Sequence, residues 1–235
     1  MLWIGAWILF FGWLLNAIDL RQEGIGSFSQ AFCSIYGYVS FSDSASMLMT
    51  GLKWLAPQIV LLLFWGNAQE EHLGKYLLYI RIRTNHLMRY LIQLNGKLCL
   101  FTAAICLIWG LITMYHTWRC QIPLGFESDL VIRFLMYFLY QFSILLAVNM
   151  ISAFTKAIYG MGMVIGAELI GLELLRLIQE GILPGPLWHW IPASWTLFYY
   201  QPNLSYISVQ ILLLLMGITI LFLLNEKQLR KKELF

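Results

Sequence analysis

The chain has 235 residues, of which 60% are hydrophobic and 11% are charged, and its mean hydropathy is +0.72. A soluble domain of this length cannot bury so much apolar surface, so the composition excludes an ordinary soluble globular protein and predicts extensive contact with lipid. The formal net charge of +3 is not gathered into a basic stripe interleaved with aromatic residues. We therefore expect no nucleic-acid partner.

Apolar runs that are long enough to cross about 30 Å of hydrocarbon occur six times along the chain. The alternating pattern of a membrane β-barrel is absent, so helices must satisfy the backbone inside lipid. We predict an all-α membrane protein with one transmembrane domain over 1–235 and spans near 2–18, 49–67, 97–117, 131–154, 160–180 and 206–225. The first run lacks a preceding basic region and a small-residue cleavage site, so we expect a retained span.

The distribution of Lys and Arg between the runs predicts the orientation of the spans. Basic residues concentrate in the connections 68–96 and 155–159 and in the tail after 225, whereas the other connections hold few. By the positive-inside rule, both termini are cytoplasmic and the loops 19–48 and 181–205 lie outside, as in a multi-pass protein of the cell membrane. Cys33 and Cys120 both fall in outer loops; this topology permits a disulfide, although their spacing does not fix their separation.

The connection between the second and third predicted spans carries the most informative pattern. It begins with Glu70 and Glu71, passes Gly74 and reaches Thr84-Asn85-His86, where Thr84 or Asn85 is suited to cap a helix. Apolar residues then recur at near-helical spacing, with a basic residue on the polar side: Leu87, Met88, Leu91, Ile92 and Leu94, with Arg89. This predicts a short amphipathic helix at the inner surface, and one interpretation is simple anchoring to anionic membrane lipid.

These features together resemble the permease subunits of type-2 ABC exporters. Such permeases have six spans, an acidic residue and a glycine after the second span, a short cytoplasmic coupling helix, and a Gly-Lys pair entering the third. The matching positions are Glu71, Gly74, the helix near Thr84 and Gly96-Lys97. The stretch GILPGPLWHWIPASWTLFYYQPN is similar to the proline-rich, partly re-entrant segment before the last span of that family. Two departures are Arg83, where a proline is common, and the lack of an amphipathic segment before the first span.

The resemblance implies a bacterial exporter subunit that moves a peptide, an antibiotic or a lipid-like substrate outward, including the kind that gives immunity to an antimicrobial peptide. The chain contains no G-x-x-x-x-G-K-[ST] motif, so it is expected to be non-catalytic and to bind no cofactor itself. ATP and Mg²⁺ would bind two copies of a cytoplasmic ABC ATPase, and a second permease chain, identical or related, would complete the pathway. Contact with the ATPase is expected at Glu71, Gly74, Thr84, Asn85, His86 and Arg89.

Polar residues inside the predicted spans form a second set of candidates, because ionisable groups in lipid usually face a cavity or a partner. Glu168, Glu173 and Asn149 are candidate pathway-lining residues. The alternative is structural: Glu173 pairs with Arg176 three residues later, and a neighbouring helix satisfies Glu168. In the same region we expect Asn149, Gln141 and Ser143 to hydrogen-bond between helices, and Gly162 and Gly166 to permit close helix packing.

Two other classes of function stay open. A secondary transporter or channel that works alone would need paired broken helices or an acidic relay, and only the fifth span offers carboxylates. An intramembrane hydrolase would use Glu70 and Glu71 with histidines. However, the histidines are scattered, and neither H-E-x-x-H nor G-x-S-x-G occurs.

Overall fold

The computed structural model describes residues 25–71, 87–123, 130–198 and 204–233, and within these ranges the chain forms helices and no strand. The predicted first span, 2–18, lies outside them. The α-helices are α1 (Phe28–Tyr36), α2 (Ser44–Trp65), α3 (Leu87–Arg119), α4 (Leu130–Ser152), α5 (Ala157–Gln179) and α6 (Leu204–Glu233). Two short 3-10 helices, Gly185–Trp190 and Pro192–Thr196, connect α5 to the end of the described loop.

Four helices in the described ranges are long and apolar enough to cross a membrane: Ser44–Glu71, Arg89–Arg119, Leu130–Ser152 and Tyr206–Lys227. They coincide with the second, third, fourth and sixth predicted spans and indicate a membrane protein. The fifth predicted span forms a helix of similar length, α5, which is not among these four. The total of six spans and the location of the termini stay predictions.

α4 lies at the centre of the bundle, where it packs against α5, α6, α3 and α2. Its Tyr137, Tyr140 and Leu145 are almost fully buried. Large apolar side chains on the outer helices are instead exposed, such as Leu100 at 73% and Leu111 at 63% on α3. Continuous apolar surface of this kind is unfavourable in water and suits helices whose outer faces meet lipid.

α3 corrects one detail of the prediction, which placed a short separate helix from near Thr84 ahead of a span at 97–117. From Leu87 onward the structure has a single helix that runs through Gly96 to Arg119. One glycine without a proline does not interrupt a helix, because its backbone hydrogen bonds are retained. In the first turns, Leu91 is buried in a small cluster with Ala153, against which Tyr90 and Phe222 pack, whereas Ile92 is 56% exposed.

The 3-10 segment, defined here as residues 185–198, folds back against the bundle. Its second half is buried from Ala193 to Phe198. The Trp54 indole N–H of α2 donates to the Thr196 hydroxyl at 3.1 Å, and Arg133 of α4 donates to the Phe198 carbonyl at 3.1 Å. The segment is therefore held by side chains from two central helices.

Candidate functional site

The main polar feature of the bundle is an interruption of the backbone hydrogen bonds of the helix just after α2. A turn at residues 66–67 separates α2 from a short helical stretch at 68–71. In an uninterrupted helix the Gln69 N–H would donate to the Trp65 carbonyl. Instead, the Asn149 side chain of α4 lies between them: its Oδ1 accepts from Gln69 N at 2.9 Å, and its Nδ2 donates to Trp65 O at 2.8 Å. A side-chain amide thus replaces a backbone hydrogen bond at the turn.

The side chain of Gln69 extends the same network to α6. Gln69 Nε2 donates to Asn225 Oδ1 at 2.9 Å, and Asn225 Nδ2 donates to Gln69 Oε1 at 3.2 Å. Gln69, Asn149 and Asn225 are each fully buried. Because buried amides that lose their partners are costly, this reciprocal pair fixes the end of α2 against α6.

Glu70, the next residue, joins the same site to α5. The first helical residue of α5, Ala157, donates its backbone N–H to Glu70 Oε2 at 2.7 Å, while the N-cap residue Lys156 provides no side-chain cap. A carboxylate at this position satisfies an otherwise unpaired N–H and interacts favourably with the positive end of the helix dipole. Gln69, Glu70, Asn149 and Asn225 are called the polar cluster below; they join the residues after α2 to α4, α5 and α6.

Two glycines permit the close packing around the polar cluster. A Cβ atom at Gly66 would lie 2.7 Å from Met161 Cε of α5 and 3.2 Å from Val148 Cγ1 of α4. At Gly160, a Cβ atom would lie 3.1 Å from the Val148 carbonyl oxygen. The end of α2 therefore approaches α4 and α5, and the beginning of α5 approaches α4, more closely than a side chain at Gly66 or Gly160 would permit.

The residues predicted to contact an ATPase divide into two groups. Gly74, Thr84, Asn85 and His86 lie outside the described residues. Glu71 and Arg89 are both exposed, on either side of the segment 72–86. Glu71 accepts a hydrogen bond from Asn67 Nδ2 at 2.7 Å, within the turn that precedes the polar cluster.

The acidic residues of α5 have the partners that the structural interpretation predicts. Glu168 is buried and accepts a hydrogen bond from the Tyr140 hydroxyl of α4 at 2.5 Å. Arg176 Nε lies 3.0 and 3.1 Å from the two carboxylate oxygens of Glu173, and its Nη1 also contacts Glu180. Asn149, the third candidate for the pathway, is fully buried in the polar cluster.

Other expectations had mixed outcomes. The interhelical bond of Asn149 is confirmed, but the Ser143 hydroxyl donates to the Tyr140 carbonyl of its own helix. Among the residues that the structure describes, a Cβ atom at Gly162 or Gly166 would meet no atom within 4 Å, so the predicted close helix packing at these glycines is not found there. No disulfide joins Cys33 to Cys120.

Sequence reasoning missed Gln69 and Asn225 and did not recognise Glu70 as a helix cap. Asn225 ends the apolar run LLLLMGITILFLL, and an amide at such a position suggests a buried partner. In the described ranges, no three His, Cys, Asp or Glu side chains are grouped as metal ligands.

Comparison with known proteins identifies no relative: no family model, curated protein or solved structure gives a significant match to this chain.

Proposed function

We propose that this chain is the permease subunit of an ATP-driven exporter of the type-2 ABC class, located in the cell membrane. It would move a peptide, an antibiotic or a lipid-like molecule outward with a second permease chain and two copies of a separate ATPase. The observation that carries the proposal is the polar cluster, which lies immediately before the segment 72–86 in the chain.

The polar cluster supports coupling because it resists independent movement of the end of α2. Apolar contacts between helices permit small sliding movements, whereas separation of buried hydrogen-bonded amides leaves polar groups unsatisfied. A displacement of the segment 72–86 by a docked ATPase would therefore move the residues after α2 together with α4, α5 and α6. This is the behaviour that a permease needs where nucleotide-driven closure enters the membrane part.

The direct test is affinity co-purification of the tagged chain with an ABC ATPase encoded by a neighbouring gene, followed by ATPase assays in lipid vesicles. We expect the Arg89→Glu variant to lose stimulation of ATP hydrolysis, because it reverses the charge of an exposed residue beside the segment 72–86. Lys227→Glu is the matched control, since Lys227 is also exposed and basic but lies on α6. Full stimulation and transport by Arg89→Glu at normal expression would contradict the proposed docking position.

A transporter that works without an ATPase is the second candidate, and buried Glu168 is the observation that favours it. A buried carboxylate bonded to Tyr140 is suited to bind a cation or a proton during transport. Purified protein in vesicles distinguishes the two. Uptake driven by an ion gradient alone, and abolished by Glu168→Gln, would support this candidate, whereas transport that requires the ATPase and ATP would support the exporter.

A further inference from the structure

A cavity of about 260 Å³ lies between the first 3-10 helix and the beginning of α6. Its wall consists of Pro186, His189, Trp190, Tyr206, Val209, Gln210 and Leu213. None of these residues is an Asp, Glu, Lys or Arg. The cavity is thus mainly apolar and aromatic, and it lies outside both the polar cluster and the Glu168–Tyr140 contact.

Two polar groups in this wall have no hydrogen-bond partner in the described part of the chain. Gln210 is only 2% exposed, yet its Nε2 and Oε1 atoms are both unpaired. The Nδ1 atom of His189 is also buried and unpaired. Burial of an amide without partners is unfavourable, and such groups in folded proteins usually have a ligand or water to bond. Gln210 can donate and accept simultaneously, which is the pattern that another amide complements.

The aromatic side of the cavity is held in place by neighbouring contacts. The rings of His189 and Tyr206 stack in parallel, with centroids 4.0 Å apart. The indole N–H of Trp195 donates to the His189 carbonyl at 2.8 Å, which fixes the backbone behind the stacked ring. Trp190 is 66% exposed. A ligand would therefore meet a preformed aromatic wall and an exposed indole that can cover it.

We propose that this cavity binds a neutral molecule that carries a carboxamide group beside an aromatic ring, as in the uncharged end of an apolar peptide. The Gln210 amide, whose nitrogen and oxygen are both buried, would turn toward the cavity to pair with the carboxamide, and the aromatic wall would contact the ring. The volume is slightly below the roughly 300–1,000 Å³ of pockets that enclose a whole drug-sized ligand, so one ring with its adjacent amide suits it. The site requires neither an ATPase nor nucleotide and is independent of the proposed export function.

The test uses N-acetyl-L-phenylalaninamide as the probe and the full chain in lipid nanodiscs. Saturation-transfer NMR measures binding, and empty nanodiscs provide the correction for partition into lipid. We expect N-acetyl-L-phenylalaninamide to bind saturably. Methyl 3-phenylpropanoate, which keeps the ring and lacks the amide N–H groups, should bind at least about fivefold more weakly. Octanamide, which keeps the amide and lacks the ring, should also bind more weakly; tighter binding of octanamide would overturn the aromatic part of the proposal.

Variants separate binding at this cavity from binding elsewhere. Gln210→Met should weaken probe binding about fivefold or more, because it removes the amide at nearly constant volume. Gln141→Met, the same change at a buried glutamine outside the cavity, should leave binding within about twofold. If Gln210→Met fails to fold, Trp190→Ala replaces it, since an exposed side chain can be removed with little effect on folding. Binding unchanged in the folded variant, or absent in the native chain, would overturn the proposal.

Discussion

The amide side chain of Asn149 takes the place of the backbone hydrogen bond between Gln69 and Trp65. A side chain of α4 therefore satisfies the backbone groups that the turn after α2 leaves unpaired. We expect Asn149→Leu to destabilise the protein by about 1–3 kcal/mol for each backbone group left unpaired. Unfolding in mixed detergent micelles measures this change. Asn95→Leu on α3 is the matched control, because the Asn95 amide is buried without a partner in the described ranges and its removal should cost little. Equal losses in the two variants would contradict the role of Asn149.

The reciprocal amide pair of Gln69 and Asn225 predicts strong coupling between these two positions. Gln69→Leu and Asn225→Leu should each be destabilising, since each leaves the other amide buried and unpaired. The double variant should lose less stability than the sum of the single variants, with a coupling energy of about 0.5–3 kcal/mol. A double-mutant cycle measured by unfolding provides the value, and strict additivity would show that the pair does not form.

The contact between Glu70 and the first turn of α5 predicts a capping effect. Glu70→Ala should cost about 0.5–2 kcal/mol, because the Ala157 N–H loses its acceptor and the helix dipole loses a neighbouring charge. Glu71→Ala is the comparison, since Glu71 is exposed and its carboxylate accepts a hydrogen bond from Asn67 within its own turn. Hydrogen exchange at the first residues of α5 should increase in Glu70→Ala alone; increased exchange in both variants would argue against a specific cap.

The glycines of α5 predict opposite effects of the same substitution. At Gly171 a new Cβ atom would lie 2.9 Å from Ala193 Cβ, so Gly171→Ala should displace the 3-10 segment and cost about 1–3 kcal/mol. At Gly166 the space is open, so Gly166→Ala should be neutral or should stabilise the helix by about 0.5–1 kcal/mol. Thermal unfolding of both variants in one detergent compares them. A lower Tm for Gly166→Ala than for Gly171→Ala would contradict the packing.

The N-cap of α2 predicts a dependence of stability on pH. Asp43 accepts a hydrogen bond from the Ser46 N–H at 2.8 Å and from the Ser46 hydroxyl at 2.7 Å, and these bonds lower the pKa of Asp43 below its usual 3.8. A lowered pKa in the folded state stabilises the protein above pH 3.8, and this contribution is lost as the pH falls through the folded-state value. The Tm difference between the native chain and Asp43→Ala should therefore shrink in acid.

Asp43→Asn is the control for charge in that experiment, because asparagine also caps helices but does not titrate in this range. Its Tm difference from Asp43→Ala should stay constant as the pH falls. A constant difference between the native chain and Asp43→Ala over the same range would show that the Asp43 carboxylate does not act through ionisation.

The sequence was sufficient to locate α2, α3, α4, α5 and α6, because each of these helices coincides with a long apolar run, which a helix in lipid needs. It was also sufficient to pair Glu173 with Arg176, which share one helix face. It could not show that Asn149 enters the turn after α2 or that Gln69 meets Asn225, since these contacts depend on which helices are neighbours. Tyr140 could not be identified as the partner of Glu168 for the same reason.

The continuity of α3 has a mechanical consequence. At 1.5 Å per residue, the helix Leu87–Arg119 is roughly 50 Å long, whereas the hydrocarbon layer is only about 30 Å thick. Part of this rod must therefore project beyond the lipid or tilt strongly within it. A lateral force on the end of α3 that bears Arg89 would then tilt the whole helix as a rigid body. The tilt would move Trp109 and Thr113, which contact Tyr36 of α1, in the opposite direction.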